Sequence, residues 1–142
     1  MPGIDECLLE AMRLPGSLGA AVVDWTSGLA LGTIGESPNN DHEATAAETA
    51  ELARMAAEQP AFAPAPAPAA TGELPESSTP APREGLPVED VIVTNRTGYH
   101  ILRFVETTFD SSVFLHLWLD RDEGNLALAR LRLRDLAGRL VL

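Results

Sequence analysis

The chain has 142 residues, with 10 basic and 21 acidic side chains and a formal charge of −11 at pH 7. All ten basic residues are arginine, which excludes a phosphate-binding loop ending in Gly-Lys-Ser/Thr, a lysine Schiff base and a lysine general base. The acidic balance argues against general nucleic-acid binding, which needs positive charge against phosphates.

Ile4, Cys7, Leu8, Ala11 and Met12 recur at helical spacing until Pro15-Gly16 breaks the pattern, which predicts a first helix over 4–14. Cys7 is the only cysteine, so no disulfide within the chain is available. It reads as a small buried apolar residue, because its nearest charges are Glu6 and Glu10 and a reactive thiol wants positive neighbours. Gly19–Asp24 and Leu29–Ile34 read as two strands of a hairpin, joined by a turn at Trp25–Gly28. Trp25 in that turn has two readings, a cap on the sheet edge or an anchor for a partner.

Asn40 with Glu43 three residues on has the form of a capping box. It opens an alanine-rich helix from His42 to Gln59, which Pro60 ends. Ala44, Ala46, Ala47, Ala50, Ala53, Ala56 and Ala57 set its character, and Leu52 and Met55 are its only large apolar residues. Alanine favours a helix but buries little area. Such a helix either lies very close to its neighbour or is partly exposed. Glu43, Glu48, Glu51 and Glu58 give it a solvated or partner-facing surface.

Residues 60–87 are different, holding eight of the eleven prolines. Their Ala-Pro repeats favour extended polyproline-type backbone. Few large apolar residues are present to offset ordering. The expectation is a mobile loop inside one domain spanning 1–142, not a domain boundary.

Val88–Thr94, Tyr99–Glu106 and Val113–Leu119 read as three further strands, with turns at Asn95–Gly98 and Thr108–Ser111. A four-residue second turn sets Val105 against Phe114 and Arg103 against His116. Tyr99, Ile101, Arg103, Val105, Phe114, His116 and Trp118 then share one face, and Leu102, Phe104, Leu115, Leu117 and Leu119 the other. In that register His100 and His116 face opposite sides of the sheet. Both faces are apolar, so both need cover.

The closing helix runs from Glu123 to Val141 with Leu126, Ala129, Leu133, Leu136, Ala137 and Leu140 as its apolar stripe. Arg130, Arg132, Arg134 and Arg139 surround it, opposed locally by Asp135 alone. One reading of them is an acidic partner or a membrane surface. The predicted order is αββαβββα, an α+β fold with a five-stranded antiparallel sheet and helices for both faces.

Catalytic and metal-binding patterns are missing from the residues. His42, His100 and His116 have no metal-ligand spacing. Ser27 and Ser111 lack a Gly-x-Ser-x-Gly elbow. Gly28 and Gly32 carry no dinucleotide fingerprint, and Asn95-Arg96-Thr97 reads as a turn, not a glycosylation acceptor. No run approaches the roughly 18 apolar residues of a membrane span. With no visible signal peptide, the expectation is a cytoplasmic, non-enzymatic protein without cofactor or metal.

Three stretches point further. They are Leu14-Pro15-Gly16-Ser17-Leu18-Gly19-Ala20-Ala21-Val22-Val23-Asp24, Ser27-Gly28-Leu29-Ala30-Leu31, and Leu117-Trp118-Leu119-Asp120-Arg121 followed by Gly124-Asn125-Leu126-Ala127-Leu128-Ala129-Arg130. They resemble the helix-to-strand entry, the hairpin return and the last strand with closing helix of the roadblock (dynein light-chain, roadblock-type) family. The resemblance covers residues 4–59 and 88–141. It implies a roadblock/profilin-like unit without catalytic residues of its own, dimerising through its second helix and third strand. It also implies a small Ras-like GTPase as partner, since bacterial members commonly bind one and some accelerate its hydrolysis. Carried over, the dimer surface falls on Ala44–Gln59 and Val88–Thr94, with Ala46, Ala50, Leu52, Ala53, Met55, Val91 and Val93 as contact candidates. Trp25, Glu48 and Glu51 are the candidates for the partner. The resemblance also implies that the first and closing helices lie side by side, which would pair Arg130, Arg132, Arg134 and Arg139 with Asp5, Glu6 and Glu10. The long loop departs from the family, which usually has a short connection there. A small-molecule sensor or a scaffolding module of the same fold is the alternative, with Arg103 and His116 as the sensor's polar groups.

Overall fold

The structure, a computed structural model, describes residues 3–65, 86–106 and 112–141. Helix α1, Ile4–Met12, buries Cys7, Leu8 and Ala11. The chain then turns at Gly16, which has φ +79°. A side chain there would also place its Cβ 2.5 Å from the backbone nitrogen of Gly124. Conformation and close approach therefore both select glycine.

Strands β1 (Ser17–Asp24) and β2 (Leu29–Gly35) form the expected hairpin. The Asp24 carboxylate accepts from the backbone N–H and the hydroxyl of Thr26 at 2.9 and 2.6 Å. The hydroxyl bond in particular holds the Asp24 carboxyl below the usual range. A one-turn 3-10 segment, Pro38–Asn40, leads into α2, His42–Glu58. The cap differs from the expected box. Asp41, not Asn40, accepts from the Ala44 N–H, at 3.0 Å, while Asn39 and Asn40 adopt left-handed backbone. Asparagine tolerates that conformation better than most residues.

Strands β3 (Asp90–Thr94), β4 (Gly98–Val105) and β5 (Val113–Asp120) precede the closing helix α3, Leu126–Arg139. The β3–β4 turn is held by the Asn95 side chain, which accepts from the N–H groups of Thr97 and Gly98. Asn125 caps α3 by accepting from the Leu128 N–H at 3.0 Å. The turn expected at Thr108–Ser111 and most of the proline-rich segment lie outside the described residues.

The strands form one antiparallel sheet in the order β2-β1-β5-β4-β3. Its β4–β5 register differs from expectation by one residue. Phe104 lies opposite Phe114, Leu102 opposite His116, and Val105 opposite Val113. Because side chains alternate, that single step exchanges every β5 residue between faces. One face now carries Ile101, Val105, Val113, Leu115, Leu117 and Leu119, packed under α1 and α3 with Leu133, Leu136 and Leu140. The other carries Leu102, Phe104 and Phe114 with Ala21 and Val23, covered by α2.

Candidate interaction surface

Helix α2 is built inside out. Its buried residues are Ala46, Ala50, Ala53 and Ala56, while its two large apolar side chains are left exposed. Leu52 is 36% exposed and Met55 60% exposed. The alanines pack with Ala21, Val23, Leu102, Phe104 and Phe114 of their own sheet. This corrects the expectation that Ala46, Ala50 and Ala53 meet a second chain, since they are covered within one. Their smallness lets the helix lie close to the strands. Beside Leu52 and Met55, Glu48 and Glu51 are exposed on the same helix.

The helix packs on β1 and β2 and leaves the β3–β4 side of its sheet face partly open. There a groove of about 250 Å³ runs between α2 and the strands, lined by Thr45, Glu48, Thr49, Leu52, Val93 and His100 among others. Val93 is 38% exposed. Val91 shares the face but is half-buried against the α2 core. Strand β3 is an edge of the sheet, with β4 as its one neighbour. The groove, the outer side of α2 and this edge form one candidate surface.

The groove wall holds a feature the expected register concealed. His100 and His116, placed on opposite faces in sequence, lie on the same face. Their rings stack at 5.2 Å, and His100 Nδ1 lies 3.0 Å from His116 Nε2, so one ring donates to the other. Trp118 stacks on the outer side of His100 at 6.0 Å. His116 is 4% exposed. Burial pushes its pKa down to about 3, with His100 and then His42 adding to the effect. Burial also lowers the pKa of His100. No trio of metal-ligating side chains comes together among the described residues.

The remaining candidates are dispersed. Trp25 is partly buried against the α2 core, edge-on to Phe104 at 6.5 Å. Arg103 lies on the opposite face from His116, paired with Asp90 at 3.5 Å and Glu89 at 3.8 Å. The sensor's two polar groups therefore do not converge. Of the α3 arginines, Arg139 meets Glu10 as expected, at 3.2 Å, but also Asp135 at 2.9 Å. Arg130 pairs instead with Asp90, at 3.0 Å. Among the described residues Asp5 and Glu6 form no ion pair with them, which corrects that expectation; exposed pairs of this kind contribute about 0–1 kcal/mol. Burial raises the pKa of Cys7 to about 11, helped by Glu10. It is therefore a thiol at neutral pH, not a nucleophile.

Among the described residues no helix is long and apolar enough to cross a membrane. No protein-family model matches the chain, and no curated protein matches it either. A solved structure does. Myxococcus xanthus MglB superposes with a TM-score of 0.67 at 16% identity, over 94% of this chain and 81% of that one. The three helices and the five-stranded antiparallel sheet described above are thus those of the roadblock fold, as the resemblance implied.

Proposed function

We propose that the protein is a non-enzymatic, homodimeric adaptor that binds a small Ras-like GTPase and modulates its nucleotide hydrolysis. The carrying observation is the inverted α2: buried alanines and outward Leu52 and Met55 beside the open β3 edge. A helix that spends its large apolar residues on solvent fits a helix with a second surface to cover. The fold shared with MglB supports the family reading. In it the second copy lies along α2 and β3, touching Leu52, Met55, Val91 and Val93. The exposed glutamates Glu48 and Glu51 lie at the rim of that contact, where polar side chains are usual, and meet the GTPase. The inward alanines and Trp25 support those contacts from beneath.

The test is a pull-down with small GTPases encoded near this gene, loaded with GDP or a GTP analogue. Nucleotide-dependent capture is the expected result. Equal recovery with both nucleotides, or none with either, contradicts the reading.

A further inference from the structure

We propose that the His100–His116 pair makes self-association through the α2–β3 groove sensitive to protons: the neutral pair admits the second copy, and a proton on His100 opposes it. This rests on the dimer reading above. The geometry carries it. His100 lines the groove, directly across a strand pair from Val93 and beside Leu52. Its Nδ1 is already engaged with His116 Nε2 at 3.0 Å. Two stacked neutral rings need one hydrogen between them. A second proton puts a cation on a half-buried ring pressed against a second ring and against Trp118.

Covering the groove with another chain removes water from that cation, which costs free energy. The dimer therefore binds fewer protons than two monomers, and acid favours separation. The facing groups set the sign. Across the groove stands Glu48 of α2. Around the small cavity next to His116 stand His42 at the start of α2 and Glu36 after β2. The strand neighbours, Ala21, Leu102, Val93 and Trp118, carry no charge. Glu48 is the one opposing influence at the groove. The dimer reading leaves it at the rim of the contact, still in water, where its attraction is weak, whereas the apolar lining acts directly on the ring.

Lowered histidine pKa values place the transition below the usual imidazole range. The test is sedimentation equilibrium of the full chain at pH 7.5 and 5.0, with far-UV circular dichroism confirming the fold at both. The expected result is a dimer whose dissociation constant rises about tenfold or more at pH 5.0, since two sites titrate per dimer. His100→Gln keeps a polar side chain of similar length but does not titrate. It should hold nearly the same dissociation constant at both pH values. Equal wild-type constants at the two pH values, tighter association in acid, or an undiminished acid effect in His100→Gln overturns this proposal and leaves the dimer reading standing. A strict monomer at pH 7.5 overturns both.

Discussion

Helices α2 and α3 each cover one face of the same sheet, with opposite use of their large side chains. Helix α3 drives Leu133 and Leu136 into the core beside Leu140, and shows its arginines and a single leucine, Leu131, to solvent. Helix α2 buries only alanines and shows Leu52 and Met55. Buried area stabilises roughly in proportion to its size, so α3 contributes more to holding the subunit together. Helix α2 contributes less to the fold and more to what can be added to it. In the function proposed above, the difference separates a stability face from a docking face.

Truncation under α3 should have the largest effect. Leu133 is almost wholly buried between α3 and the sheet. Leu133→Ala should cost about 2–5 kcal/mol in denaturant unfolding, as cavity-forming substitutions do. A loss under 1 kcal/mol would mean α3 is not the stability face. Enlarging the small side of α2 should come next. Ala50 is fully buried against its own sheet, so Ala50→Phe should cost about 1–3 kcal/mol of subunit stability. If it instead leaves stability unchanged and weakens only self-association, the alanines face a second chain after all.

Acid should reach the fold itself through His116. Its folded pKa, about 3, lies below its ordinary value of 6.5. The unfolded chain then takes up a proton that the folded chain refuses, so stability is full above about pH 6.5 and falls as pH drops towards 3. At pH 5.0 the loss should be about 2 kcal/mol relative to pH 7.5, at 1.36 kcal/mol per pH unit. Equal denaturation midpoints at the two pH values would mean that His116 is not held neutral. The smallest effect on stability belongs to the exposed side of α2. Met55→Ala should change unfolding free energy by no more than about 0.5 kcal/mol while measurably weakening self-association. A large loss of stability would place Met55 in the core.

Much of this was legible in the sequence, and the failures have physical reasons. Element order follows from the periodic runs and the turns between them, and the approximate ends of α2 from its alanine-rich stretch and Pro60; its cap does not, since Asp41 and not Asn40 provides it. The β4–β5 register does not, because Val113, Phe114, Leu115, Leu117 and Leu119 make both faces of β5 apolar. Hydrophobic alternation selects a register only when one face is polar. The histidine pair was lost with that register, and only the residue pairing could have shown it. The inward face of α2 was ambiguous for a related reason. Alanines and the Leu52–Met55 pair both recur at helical spacing, so periodicity offers two stripes and does not say which is buried. The fold of the whole is what the three family-like stretches implied; the side of α2 that meets its own sheet is what they could not.

The central claim is that the outer side of α2 is the docking face. Multi-angle light scattering on the wild type and on a Leu52→Glu, Met55→Glu double variant tests it most directly. Both side chains are exposed in the subunit, so the variant should keep its fold. The account predicts a wild-type mass near twice 15.1 kDa at tens of micromolar and a variant mass of one subunit, with superimposable circular dichroism. A wild-type monomer at that concentration, or a variant dimer of undiminished strength, would contradict it.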